Sequence, residues 1–65
     1  MKKYIVNRLD TNMPYITRAA TPAMAMVLTM DKYFSSFWGP QLVEGIWEIY
    51  SQDGMIIKFN VQEVR

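Results

Sequence analysis

The chain has 65 residues, 51% of them hydrophobic, and its seven basic and six acidic side chains leave a net charge of +1. A chain of this length is expected to form one small domain, 1–65, with a limited core. It contains no cysteine or histidine, which excludes disulfides and the commonest zinc ligands. The balanced charge argues against a polycation that wraps nucleic acid and against an acidic mimic of DNA.

The first two predicted elements are strands of a small antiparallel sheet. Lys3–Leu9 is rich in β-branched and aromatic residues, and the turn-forming cluster Asp10–Asn12 follows it. Tyr15–Ala20 is predicted to form a second, shorter strand. Pro14 precedes this strand, and a proline is acceptable there only at the start of a strand or on a sheet edge.

A helix is predicted next, because Thr21 can act as its N-cap and Pro22 suits the first helical position. Apolar residues then recur at spacings of four and three, which predicts a stripe that packs on the sheet. The stripe consists of Ala23, Val27, Met30, Phe34 and Phe37, widened by Met26 and Tyr33. The predicted solvent side consists of Thr29, Asp31, Lys32, Ser35 and Ser36.

The end of the helix is predicted at Gly39-Pro40, a pair that helices do not continue through. Met24 and Leu28 lie off the apolar stripe, so they are expected to be partly exposed. Trp38, close to the helix end, is expected at the rim of the domain as an interface group.

A β-hairpin is predicted over Ile46–Phe59, and two turns compete for it. A two-residue loop would set Glu48 beside Phe59, so both faces of the hairpin would mix core and polar residues. A three-residue loop with Gly54 in the left-handed conformation sets Glu48 opposite Lys58 instead. This second register is predicted, because it matches apolar residues with each other and places opposite charges across the strands.

The three-residue loop separates the hairpin into a core face and an outer face. The core face, covered by the helix, holds Trp47, Ile49, Ile57, Phe59 and Val61, with Val43 further along. The outer face, which points away from the helix, holds Ile46, Glu48, Tyr50, Ile56, Lys58 and Asn60. The first strand adds to the outer face either Tyr4, Val6 and Arg8 or Lys3, Ile5 and Asn7. The predicted fold class is therefore α+β, a small antiparallel sheet of order ββαββ with one helix packed on one face.

Enzymatic activity is not predicted, because catalysis at neutral pH usually needs a tunable base or nucleophile and both histidine and cysteine are absent. Glu44 and Glu48 are four residues apart on one predicted strand, so they share a face without touching. Asp53 belongs to a turn. The glycines are isolated and form no phosphate-binding loop. No catalytic residue, cofactor or metal site is predicted.

Binding of single-stranded nucleic acid is an alternative function, because several RNA-binding folds stack bases on a small sheet. The candidate stacking residues are Tyr50, Tyr4 and Tyr15, and the candidate phosphate contacts are Lys3, Arg8, Arg18 and Lys58. The near-neutral charge and the absence of the paired aromatic motifs of the RNA-recognition fold argue against this alternative.

The layout of the chain resembles small phage-encoded inhibitor proteins, which include anti-CRISPR proteins and inhibitors of host RNA polymerase. The resemblance is carried by the opening KKYIVNRL, by the helix after AAT and by the closing hairpin IWEIYSQDGMIIKF. It implies a mode of action in which a rigid surface, without chemistry, occludes or locks a larger host complex. These families share almost no motifs, so the resemblance assigns no role to particular residues.

The leading hypothesis is a non-enzymatic protein-binding inhibitor, encoded by a phage or mobile element and acting in the bacterial cytoplasm. Its partner would be a larger host protein or ribonucleoprotein complex of the defence or transcription machinery, and no membrane association is expected. The predicted protein-binding residues are Ile46, Glu48, Tyr50, Ile56, Lys58 and Trp38. An antitoxin-like homodimer that buries the same face is a further alternative.

Overall fold

The computed structural model describes residues 1–65 and shows an α+β fold, with a five-stranded antiparallel sheet and one helix. In chain order the elements are β1 (Lys2–Arg8), β2 (Met13–Ala19), α1 (Pro22–Tyr33), β3 (Trp38–Val43), β4 (Ile46–Tyr50) and β5 (Ile56–Val64). The strands lie side by side in the order β2-β1-β5-β4-β3. Pro14 therefore lies in an edge strand, as its missing amide hydrogen requires.

The sheet is stepped, because the two ends of its central strand, β5, pair with different neighbouring strands. The first half of β5, Ile56–Phe59, pairs with β4, whereas Phe59–Val64 pairs with β1. The N-terminal hairpin and the β3–β4 hairpin are thus displaced along β5 in opposite directions. The molecule is accordingly elongated, with extents of 36 × 20 × 18 Å.

The predicted order ββαββ is wrong by one strand, since the observed order is ββαβββ. The helix ends at Tyr33, and Phe34 leaves the helical conformation while its amide still donates to the carbonyl of Met30 at 2.8 Å. The chain then enters β3 at Trp38, inside the segment that was expected to be helical. Gly39, with φ of +118°, and Pro40 interrupt the β3–β4 ladder, which resumes at Gln41.

The N-cap of the helix is confirmed, because the hydroxyl oxygen of Thr21 accepts the amide hydrogen of Met24 at 3.1 Å. The predicted packing face is rotated from the observed one. The buried helix residues are Ala25, Met26 and Thr29, whereas Ala23, Val27 and Tyr33 of the predicted stripe are exposed. The helix is apolar around most of its circumference, so periodicity alone does not select a face.

Small side chains explain the observed helix face. Ala25 and Thr29 stand one turn apart on the buried face of the helix, and both have small side chains. Thr29 was expected in solvent but is buried, and its hydroxyl donates to the carbonyl of Ala25 at 2.8 Å, which satisfies its polar atom. With 12 residues, α1 is too short to cross a bilayer.

The core lies between α1 and the sheet and is small. Its fully enclosed side chains come from β1, β2, α1, β4 and β5, namely Tyr4, Val6, Ala19, Ala25, Met26, Ile49, Ile57 and Phe59. Trp47 and Val61 are half-buried against it, so the predicted core face of the hairpin is confirmed. Phe34 and Phe37 pack against the same cluster, as predicted.

The turn between β3 and β4 supports a stabilising substitution. Glu44 and Gly45 both have positive φ, +50° and +83°, which is the backbone that a two-residue hairpin turn requires. Asparagine adopts this conformation more readily than glutamate, so Glu44→Asn is expected to raise the free energy of unfolding by about 0.5–1 kcal/mol in urea denaturation. Asn12 has φ of +58° in the β1–β2 turn, so Asn12→Glu should lower the free energy of unfolding. An unchanged urea midpoint for Glu44→Asn would contradict this account.

Candidate functional site

The β4–β5 hairpin has the predicted register. Trp47 lies opposite Phe59, and Glu48 lies opposite Lys58. The loop has three residues, Gly54 has φ of +90°, and the amide of Ser51 donates to the carbonyl of Met55 at 2.9 Å. The hairpin therefore presents the predicted outer face on the side of the sheet that lacks a helix.

The outer face extends over all five strands. Tyr4 and Val6 are buried beneath the helix, so β1 contributes the alternative set Lys3, Ile5 and Asn7. The register places Pro14, Ile16 and Arg18 of β2 beside them. On the other side, β3 adds Trp38, Gln41 and Val43 next to β4. No other part of this chain covers this surface.

An apolar row crosses three strands at the lower end of the outer face, where β5 begins. It consists of Trp38, Tyr50 and Ile56, with Tyr50 directly opposite both of the others. The side chain of Trp38 is 61% exposed and that of Ile56 is 51% exposed. Trp38 was expected at the end of the helix. It lies instead in an edge strand, where it extends the predicted surface.

A polar row formed by Gln41, Glu48 and Lys58 lies next to the apolar row. The Tyr50 hydroxyl donates to Glu48 Oε1 at 2.6 Å and lies 3.1 Å from Gln41 Oε1. On its other side, Glu48 Oε2 is 3.9 Å from Lys58 Nζ, so the predicted cross-strand ion pair is confirmed. Such a pair contributes little to stability at a surface, but together these contacts orient the Tyr50 ring.

The contact with Glu48 also changes the pKa of Tyr50. The hydrogen bond to the carboxylate, with a smaller contribution from burial, raises the pKa of Tyr50 above its ordinary value of 10.0. The folded state thus holds this proton more tightly than the unfolded state. The resulting stabilisation is complete below about pH 10 and is lost as the pH rises through the higher folded value.

We expect Tyr50→Phe to remove this part of the pH dependence. Urea midpoints measured at about pH 8 and about pH 10.5 should differ less for Tyr50→Phe than for the natural protein. Tyr33→Phe is a suitable control, because its exposed ring lies on the helix side, away from Glu48. An identical alkaline loss of stability in Tyr50→Phe and the natural protein would refute the role given to Glu48.

Two predicted positions near this site need correction. Val43 was expected on the core face, but the Glu44-Gly45 turn reverses the chain and places it opposite Ile46 on the outer face. Glu44 lies in that turn, so it does not share a strand with Glu48. The sequence carried a signal for this turn, since a glycine follows Glu44 between two apolar segments.

The residues proposed for nucleic-acid binding are divided between the two faces. Tyr4 is 2% exposed and Tyr15 packs against Tyr33 on the helix side, so of the three candidate stacking tyrosines only Tyr50 lies on the outer face. Arg8 is also on the helix side. Its guanidinium donates to both carboxylate oxygens of Asp10, at 2.6 and 3.0 Å, and lies 5.7 Å from the centre of the Phe34 ring.

A depression of the surface lies beside the β4–β5 loop. It is open, with a volume of about 400 Å³, and its four lining residues, Ser36, Ser51, Gln52 and Asp53, have polar side chains. Asp53 accepts a hydrogen bond from the Ser51 hydroxyl, which itself accepts the amide hydrogen of Met55 at 2.9 Å. These contacts are those of a stabilised turn, and we assign the depression no ligand.

Comparison of the chain with protein-family models, with curated proteins and with solved structures found no match.

Proposed function

We propose that this chain is a non-enzymatic protein-binding inhibitor that uses the outer face of its sheet to occlude a larger partner. In this proposal it is encoded by a phage or mobile element and acts in the bacterial cytoplasm. Its partner is a host protein or ribonucleoprotein complex of the defence or transcription machinery. The layout-level resemblance to small phage inhibitors supports this choice of partner, and the outer face supports the mode of binding.

The apolar row is the observation that carries the proposal. Trp38, Tyr50 and Ile56 lie side by side, and two of them are more than half exposed. Contiguous exposed apolar surface with a polar border is typical of protein interfaces, whose strongest contacts are enriched in tryptophan and tyrosine. Lys58 and Glu48 provide part of that polar border.

The outer face is also suited to binding without rearrangement. Hydrogen bonds between strands hold its backbone, and the contact with Glu48 fixes the Tyr50 ring. A surface that is ordered before it binds loses less conformational entropy on association.

The experiment that tests the proposal is affinity capture from bacterial lysate with matched variants. The natural protein and Ile56→Ser serve as baits, and Met24→Ser is the control, because Met24 is 46% exposed on the helix side. The captured complex is then purified and its affinity for each bait is measured. We expect Ile56→Ser to bind at least about tenfold more weakly, and Met24→Ser to bind like the natural protein.

Two results would contradict the proposal. In the first, Ile56→Ser keeps its folded circular dichroism spectrum and still binds as tightly as Met24→Ser. In the second, the natural protein is dimeric in light scattering and Ile56→Ser is monomeric. That outcome would assign the same face to a homodimer.

A further inference from the structure

Lys3 and Arg18 form a row of two like charges at the upper end of the outer face, where β5 ends. The two residues lie directly opposite each other on neighbouring strands, and both side chains are exposed. Neither takes part in an ion pair, since the three in this structure involve Lys2, Arg8 and Lys58. We call Lys3 and Arg18 the basic row.

The basic row is unfavourable for the fold by itself. Like charges directly across an antiparallel pair repel, whereas opposite charges at the same place would stabilise the sheet. No carboxylate of β1 or β2 shares their face, and Glu48 on β4 is already bound by Tyr50 and Lys58. The upper half of the outer face therefore carries unneutralised positive charge beside the apolar pair of Ile5 and Ile16, the second of which is 63% exposed.

We propose that the basic row receives an acidic polypeptide segment of the partner, whose carboxylates neutralise Lys3 and Arg18. This inference rests on the proposed function and names the chemistry of the partner. Arg18 can bind a carboxylate through two parallel hydrogen bonds, and Lys3 adds a second positive charge beside it. The Ile5–Ile16 pair supplies adjacent apolar contact for the same segment.

Protein is favoured over nucleic acid by what surrounds the basic row. Nucleic-acid surfaces of small sheets combine cations with aromatic rings for base stacking. Here the aromatic side chains of β1 and β2, Tyr4 and Tyr15, point to the helix side. Trp38 and Tyr50 lie at the other end of the outer face, eight residues along β5, or about 26 Å away.

The two ends of the outer face thus require different chemical groups on one partner. The apolar row requires a hydrophobic recess, and the basic row requires carboxylates about 26 Å from it. Charge at the basic row is expected to act mainly on the rate of association, whereas Trp38 and Ile56 act on the lifetime of the complex.

The test uses decaglutamate as a defined probe of the basic row, with decathymidine as the nucleic-acid comparison. Each is titrated into isotope-labelled protein, and backbone amide shifts are followed at about 20 and about 200 mM salt. The variant is Lys3→Gln/Arg18→Gln. The matched control, Lys2→Gln/Lys32→Gln, removes the same charge from outside the outer face.

We expect decaglutamate to shift the amides of Lys3, Ile5, Ile16 and Arg18 at low salt and to bind the Lys3→Gln/Arg18→Gln variant at least tenfold more weakly than the control. Equal affinity of the two double variants for decaglutamate would overturn the inference, because it would show that decaglutamate responds only to the overall positive charge of the protein. Tighter binding of decathymidine than of decaglutamate at these amides would overturn it in favour of nucleic acid.

A stability measurement tests independently whether Lys3 and Arg18 repel each other. Lys3→Glu should raise the urea midpoint above that of the natural protein while weakening decaglutamate binding, because it replaces the repulsion with a cross-strand ion pair. A lowered midpoint in this variant would overturn the repulsion argument. If the basic row fails these tests while capture still depends on Ile56, the proposed function stands and only the acidic partner segment is withdrawn.

Discussion

Phe59→Ala is expected to remove half or more of the free energy of unfolding of this domain. Phe59 lies in the middle of β5, is fully enclosed, and contacts the ring of Phe34 edge to face with 5.6 Å between ring centres. Truncation of a buried phenylalanine costs about 3–5 kcal/mol. A domain of this size has a total stability of only about 6 kcal/mol at typical values per residue. About 1–3 kcal/mol should therefore remain, and circular dichroism in urea should show a transition shifted to a much lower denaturant concentration.

The control for this substitution is Ile56→Ala on the same strand. Its side chain is half exposed on the outer face, so the expected loss is about 0.5 kcal/mol. A Phe59→Ala variant with the urea midpoint of Ile56→Ala would mean that the core is not organised around β5.

Gly39→Ala is expected to lower the free energy of unfolding by about 2–3 kcal/mol, through two effects at one position. The φ of Gly39 is +118°, a conformation that residues with a side chain rarely adopt. A Cβ at this position would also lie 3.1 Å from the carbonyl oxygen of Glu48 on the neighbouring strand. The substitution should therefore displace β3 and change the fluorescence of Trp38.

Gly45→Ala separates the two effects. Gly45 also has positive φ, +83°, but a Cβ there would meet no atom within 4 Å. The expected loss for Gly45→Ala is the conformational part alone, about 1 kcal/mol. Equal losses for the two variants would show that the close approach to Glu48 contributes nothing.

The elements that could be predicted from the sequence are those with local chemical signals. Thr21 and Pro22 mark the start of the helix, because a cap and a suitable first residue act within one turn. The hairpin register followed from Gly54 and from the pairing of Glu48 with Lys58, since a shift by one residue would exchange the two faces. The outer face of the hairpin was therefore predictable residue by residue.

The elements that could not be predicted depend on contacts between distant segments. The burial of Ala25 and Thr29 is decided by the packing of α1 against the sheet. Because the helix is apolar on most sides, its sequence does not identify the buried face. β3 was missed because Trp38 follows helix-compatible residues and Gly39-Pro40 resembles a stop signal. Only pairing with β4 makes this segment a strand.

The stepped sheet has a consequence for how the chain reaches its fold during synthesis. β5 follows the other strands in the chain, and within the sheet it alone joins the N-terminal hairpin to the β3–β4 hairpin. On its other side from Arg18, Lys3 pairs with Val64, so the sheet is completed by contacts between residues far apart in the chain. Until β5 leaves the ribosome, no strand pairing joins the two hairpins, and contacts this distant in sequence form slowly. The nascent protein therefore depends on β5 to complete its sheet.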